Sequence, residues 1–196
     1  MPRPLHHLLL AAVLLGFVAG VGAGEPAHDW WDRLAMRDLA GAPLEMTGRW
    51  TVIVFISPEC PLANTSLPVL NALAAEFGPA GVRLVGVYAD PTLELSVLRR
   101  HAAEFHLAFA AADDREQRLV RATGATYTPE AFVFSNDGTL LYRGRIDDRV
   151  GGFGPARPAA TQEDLRDVLK ALVAGRPGPF ADRPGFGCAL PEAVNR

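Results

Sequence analysis

The sequence has little cysteine and almost no lysine: Cys60 and Cys188 are its only thiols in 196 residues, and 18 of its 19 basic residues are arginine. Two thiols exclude a disulfide-stapled scaffold and, on their own, a four-thiolate zinc site. An excess of positive charge is also missing, since Lys+Arg 19 against Asp+Glu 22 leaves a formal charge of −3 and a pI near 5.9. That balance argues against a nucleic-acid partner. Long polar tracts and repeats of solenoid period are absent, which excludes a largely disordered chain and a repeat array. What is present is an apolar content of 49% and a length suited to one domain with appendages. Redox or metal chemistry here must rest on very few groups.

Residues 8–18 form an apolar run behind a short segment carrying Arg3, His6 and His7, and the run gives way to small residues at 19–24. Val21 and Ala23 supply the compact side chains of a cleavage site, so residues 1–23 are expected to be a signal peptide. The product is then periplasmic or secreted, where disulfides persist. An uncleaved leader would anchor the chain instead, because about 17 apolar or small residues lie near the lower limit for a span. Membrane association is expected only in that case. No later stretch of the sequence is long enough to cross a bilayer.

The rest divides into a domain at 24–175 and a Pro- and Gly-rich tail at 176–196 that carries Cys188. Gly41, Pro43 and Gly48 suggest turns around a short hairpin. Residues 51–56 (Thr-Val-Ile-Val-Phe-Ile) read as a central strand covered on both faces. A helix follows Ser57-Pro58-Glu59-Cys60-Pro61, with Leu70, Leu73, Ala74 and Phe77 on one face, Gly78 as its stop and Pro68 expected to kink it. A second strand at 82–88 leads into a helix carrying Leu95, Leu98, Ala102 and Phe105. This alternation defines an α/β fold. A short apolar stretch at 107–112 and a short helix at 116–122 come next, followed by two strands around Asn136-Asp137-Gly138, a strong hairpin signal. A Gly- and Pro-rich loop then precedes a last helix that Thr161 is expected to open and Gly175 to close.

Cys60 is the residue best placed for chemistry. A cysteine at the junction of a buried strand and a helix puts its sulfur near unpaired backbone N–H groups and the positive end of the helix dipole. That setting favours thiolate and lowers a thiol from about 8.5 towards neutrality, which makes a competent nucleophile. Glu59 opposes this if it points inward. The plainer alternative is a small buried residue that caps a helix.

The order of strand, Cys-Pro at a helix start, a second strand and helix, Thr128-Pro129, a hairpin and a final helix resembles the thioredoxin-like superfamily. The likeness is strongest to secreted redoxin proteins of the alkyl hydroperoxide reductase/thiol-specific antioxidant (AhpC/TSA) type. It rests on Ser57-Pro58-Glu59-Cys60-Pro61-Leu62-Ala63-Asn64, on residues 124–132 (Gly-Ala-Thr-Tyr-Thr-Pro-Glu-Ala-Phe), on residues 142–148 (Tyr-Arg-Gly-Arg-Ile-Asp-Asp) and on Gly187-Cys188. The resemblance implies a central mixed sheet flanked by helices, with a cis-Pro129 facing the nucleophile and Thr128 presenting its backbone to an extended thiol substrate. It implies thiol oxidoreductase activity on a disulfide, an oxidised thiol or a peroxide, with Cys60 as nucleophile and Ser57, Thr128 and Pro129 around the substrate. The implied partner is a thiol- or disulfide-bearing protein or small thiol. No cofactor and no resident metal are implied.

Two departures shape the expectation. The second cysteine of a thioredoxin dithiol falls three positions after the first, and that position is Ala63 here. Cys188 is then the remaining sulfur, as a resolving thiol, as one half of a permanent disulfide, or as a solitary thiol. A bond needs the two Cα atoms within about 7 Å. Peroxiredoxins carry Pro-x-x-x-Thr-x-x-Cys and a peroxide-steadying arginine, whereas this chain has Ile53 and Ser57 at the first two positions and Pro129 where the arginine is expected. Only Arg143 or Arg145, from the neighbouring strand, is left to supply that charge. The alternative class is a non-catalytic redoxin-fold binding module, with a structural Cys60–Cys188 bridge or a soft copper-type site drawing on His28, His101 or His106. The pairs Asp113-Asp114 and Asp147-Asp148 read as solvated loop acids, the second shaping substrate access.

Overall fold

The computed structural model describes residues 29–46, 48–152 and 157–192. The expected leader and His28 lie outside the described residues. Among those residues no helix is long and apolar enough to cross a membrane. In chain order the elements are α1 (Asp29–Asp32), β1 (Arg37–Asp38), β2 (Trp50–Ile56), α2 (Pro61–Phe77), β3 (Val82–Tyr88), α3 (Leu95–Glu104) and β4 (Ala110–Asp113). Then follow α4 (Arg118–Thr123), β5 (Tyr127–Thr128), β6 (Glu130–Ser135), β7 (Leu140–Gly144), α5 (Asp164–Val173) and β8 (Cys188–Ala189).

Six strands form one mixed sheet in the order β1-β4-β3-β2-β6-β7. Strands β2, β3 and β4 run parallel to one another, while β6 joins β2 and β1 joins β4 antiparallel. Every residue of β2 is buried, as a strand apolar on both faces requires. Its alternate side chains feed two cores. Val52, Val54 and Ile56 pack with Leu67, Leu70 and Leu73 of α2 and with Leu165 and Leu169 of α5. Ile53 and Phe55 face Phe132, Trp31 and Leu119 on the other side. This sandwich of helices on both sheet faces is the α/β thioredoxin-like architecture.

Local chemistry accounts for most boundaries. Asn136-Asp137-Gly138 turns β6 into β7, with the Asp137 carboxylate accepting the Thr139 amide at 3.1 Å. Helix α2 runs unbroken through Pro68. The expectation for α5 needs correction: it starts at Asp164, not at Thr161. The Thr161 hydroxyl and amide both donate to the Asp148 carboxylate, and the N-cap position falls instead on Glu163, which makes no side-chain capping bond.

The tail is also placed. Beyond α5 it runs along the outer strand of the sheet: the Phe180 amide donates to Leu141 O at 2.7 Å, Arg183 N to Arg143 O at 3.1 Å, and Arg145 N to Arg183 O at 2.8 Å. It then forms β8, which pairs antiparallel with β5 in a separate two-stranded sheet.

Candidate active site

Strand β2 delivers the chain to a tight turn in which the Cys60 amide donates to Ser57 O at 3.2 Å and the Glu59 amide to Ser57 Oγ at 3.3 Å. The Ser57 hydroxyl thus shapes the turn below the sulfur. Cys60 is the N-cap of α2, in extended conformation, and its Sγ accepts the Ala63 amide at 3.4 Å. Pro61 has no N–H to offer, so the donor comes from the third helical residue. Cys60 is 1% exposed, whereas Glu59 is exposed and faces solvent.

Across from the sulfur stands the loop between β5 and β6. The Thr128–Pro129 peptide bond is cis. Thr128 O lies 3.2 Å from Cys60 Sγ, and the Thr128 hydroxyl donates to Phe55 O at 2.9 Å, so one residue ties the loop to the end of β2 and touches the sulfur. Cys188 is directly opposite Thr128 in the β5–β8 register. It forms a disulfide with Cys60 across 128 residues of sequence, with a Cα–Cα distance of 5.9 Å. Among the three readings of Cys188, the solitary thiol is therefore excluded. Cys188 is only half-buried, in contrast to its partner.

A groove beside the disulfide is lined by Leu62, Pro129, Ile146, Val150 and Phe186. Its arginines are engaged: Arg145 with Asp164 at 2.7 Å, and Arg149 with Asp147 at 2.8 Å. Arg143 turns to Glu130 at 2.6 Å and to Gly124 O at 2.9 Å. Neither Arg143 nor Arg145 presents an uncommitted guanidinium.

The acid pairs are not simply solvated loop residues, which corrects that expectation. Asp148 is buried and accepts the amides of Thr161 and Gln162. Hydrogen bonds from the Thr161 hydroxyl and the Gln162 amide hold it well below the usual carboxylate range. Asp114 is buried and accepts the amides of Leu119 and Val120 at 3.1 Å each. Burial pushes its carboxyl up to about 6, against the pull of those amides.

Sequence reasoning missed a buried polar chain behind the Cys60 loop. Tyr88 Oη is 2.7 Å from His101 Nδ1, His101 Nε2 is 2.9 Å from Asn64 Oδ1, and Asn64 Nδ2 donates to Pro58 O at 3.0 Å. Neutral imidazole satisfies the whole chain, with Tyr88 donating to Nδ1 and Nε2–H donating to Asn64. Burial lowers the His101 pKa, partly offset by Glu104, and raises that of the Tyr88 hydroxyl. His101 is thus occupied with Tyr88 and Asn64. Among the described residues no cluster of three or more His, Cys, Asp or Glu side chains is arranged to hold a metal ion.

A sulfur at a helix N-terminus behind a central strand, opposite a proline loop, in a mixed sheet flanked by helices, defines a redoxin of the thioredoxin-like superfamily. The AhpC/TSA family profile matches residues 38–143, more than half of the chain, and the chain belongs to that family. It is 23% identical over 139 residues to the thiol-disulfide oxidoreductase ResA of Bacillus anthracis, covering 69% of this chain and 72% of that protein. Its fold is similar to that of an uncharacterized conserved protein from Geobacillus kaustophilus, at 28% identity and TM-score 0.71, covering 80% of this chain and 86% of the other. It is also similar in fold to a secreted disulfide oxidoreductase of Mycobacterium tuberculosis, at 23% identity and TM-score 0.53, covering 71% and 98%.

Proposed function

We propose that the protein is an extracytoplasmic thiol–disulfide oxidoreductase in which Cys60 is the nucleophile and Cys188 the resolving thiol. The observation that carries this reading is the sulfur pair itself: a buried Cys60 with a helix amide on its Sγ, bonded to a cysteine borne by a separate strand. The sequence similarity to ResA and the likeness to a secreted disulfide oxidoreductase support it. The apolar leader at 8–18 supports export.

In the reduced protein the Ala63 amide and the helix dipole stabilise a Cys60 thiolate. That thiolate attacks one sulfur of a substrate disulfide, forming a mixed disulfide and expelling the other substrate sulfur as thiolate. Cys188 thiolate then attacks Cys60 Sγ, releases the second substrate thiol and closes the Cys60–Cys188 bond. Two electrons have passed from the protein dithiol to the substrate, and an external dithiol restores the protein. Thr128 and Pro129 border the sulfur where the substrate enters, and Ser57 holds the turn beneath it. The commitment of Arg143 to Glu130 and of Arg145 to Asp164 favours disulfide over peroxide as the oxidant, because the leaving oxygen of a peroxide lacks a free cation nearby.

Thiol titration with mass spectrometry under native conditions tests this. Mild dithiol reduction is expected to open the Cys60–Cys188 bond and to release a Cys60 that alkylates faster at neutral pH than free cysteine. A bond that resists reduction in the folded protein, with no reactive thiol, would return the protein to the structural-bridge alternative.

A further inference from the structure

We infer that residues 185–190 are a tethered stand-in for the external substrate, an extended cysteine-bearing peptide with glycine immediately before its cysteine, and that β8 and this peptide occupy one seat on β5 in turn. The inference rests on the thiol–disulfide function proposed above and names the substrate class of that same site.

The seat is built from main chain and shape. On either side of the disulfide the tail is held by hydrogen bonds: Gly185 N donates to Tyr127 Oη at 2.9 Å, Leu190 N to Thr126 O at 3.0 Å, and Gln117 Nε2 to Pro191 O at 2.7 Å. Removing the tail strips partners from Thr126 O and from the short strand β5, whose pairing in its own sheet is with β8 alone. Unpaired strand edges invite another extended chain.

Side-chain clearance makes the seat selective. A Cβ at Gly187 would run into the Thr128 carbonyl, the same oxygen that touches Cys60 Sγ. A Cβ at Gly185 would sit 2.9 Å from Arg145 Cβ and 3.0 Å from Tyr127 Oη. Between them Phe186 lines the groove with Leu62, Pro129 and Ile146, and beyond the cysteine Leu190 packs on the second core. The pattern Gly-aromatic-Gly-Cys-x-apolar is therefore what this surface accepts. Cys60 thiolate attacks the cysteine sulfur of a peptide so seated and expels its partner thiolate. Cys188 next attacks Cys60 Sγ and releases the peptide thiolate as β8 takes the strand position back. While the disulfide is closed, the seat is filled by the chain's own tail.

The test uses full-length protein carrying Cys188→Ser and the octapeptide of residues 184–191 with its cysteine as the thionitrobenzoate mixed disulfide. Thionitrobenzoate release and the mass of the Cys60 adduct are followed. The peptide carrying Gly187→Val is expected to react about tenfold more slowly, from loss of one or two seating hydrogen bonds. Protein carrying Gly187→Val together with Cys188→Ser, whose own tail is unseated, is expected to react several-fold faster with the native peptide. Equal rates for the two peptides, or no gain from unseating the tail, would overturn the shared seat. The free aromatic disulfide 5,5′-dithiobis(2-nitrobenzoate) is the control: failure of Cys60 to react with it overturns the thiol function, whereas normal reaction alongside equal peptide rates overturns only this inference.

Discussion

The two sulfurs of the disulfide are seated by different means. Cys60 is fixed by packing: a fully buried strand, a capped helix of 17 residues and the chain Tyr88–His101–Asn64–Pro58 behind its turn. Cys188 is fixed by adhesion, through a ribbon of main-chain hydrogen bonds, glycine clearances and the Gln117 amide at the edge of the sheet. The first seat belongs to the cooperative core, and the second rests on hydrogen bonds in a partly exposed edge segment, the kind of segment expected to open locally at lower cost. A rigid Cys60 and a removable Cys188 suit the proposed function, in which the first sulfur alternates between two bonds.

The largest expected effect comes from removing the rigid sulfur. Cys60→Ala should lower turnover by about a thousandfold or more, as loss of a covalent nucleophile does, while circular dichroism and the melting profile match those of the reduced wild type. Loss of fold in this variant would place Cys60 among structural residues. The second effect probes the bond between the seats. With 128 residues between the cysteines, chain-entropy arguments put the stabilisation at about 4–5 kcal/mol, so denaturant unfolding with and without dithiothreitol should differ by that order. Cys188→Ser should remove the difference and trap Cys60 in mixed disulfides.

The next two predictions test each seat separately. On the tail side, Asp114 caps the turn that presents Gln117. Its carboxyl is raised to about 6 from an ordinary 3.8, so the native state holds its proton more tightly than the unfolded chain. That contribution to stability is complete below pH 3.8 and is lost as pH rises to about 6, a decline on the order of 3 kcal/mol. Asp114→Asn should flatten the decline in urea titrations across this window; an unchanged slope would assign it to other groups. On the nucleophile side, His101→Phe leaves Tyr88 and Asn64 without their buried partner. It should cost about 1–3 kcal/mol in unfolding free energy and slow Cys60 alkylation by a smaller factor, whereas His101→Gln restores part of both.

The same contrast explains what was legible in the sequence. Strand β2, its helix and the Asn136-Asp137-Gly138 hairpin announce themselves through local periodicity and turn chemistry, and with them the address of Cys60. Resemblance, not local pattern, puts Thr128 and Pro129 opposite the sulfur. The seat of Cys188 has no local signature, because it depends on the absence of side chains at Gly185 and Gly187 facing a strand about 60 residues earlier. Asn64 lies in the motif that drew attention, yet its role depends on His101, 37 positions away. Asp114 and Asp148 are illegible for a related reason: a carboxylate that caps amides later in the chain looks, in sequence, like any loop acid.

The near-complete burial of Cys60 also bears on chemical endurance. A thiolate activated for attack is the first target of hydrogen peroxide, which carries it through sulfenic to sulfinic and sulfonic acids, beyond recovery by ordinary thiols. In the closed form that sulfur is bonded and almost wholly buried, and an oxidant meets the half-exposed Cys188 first. Under the proposed function, the protein at rest is thereby preserved against the damage its own reactivity invites, and it is vulnerable only while the disulfide is open.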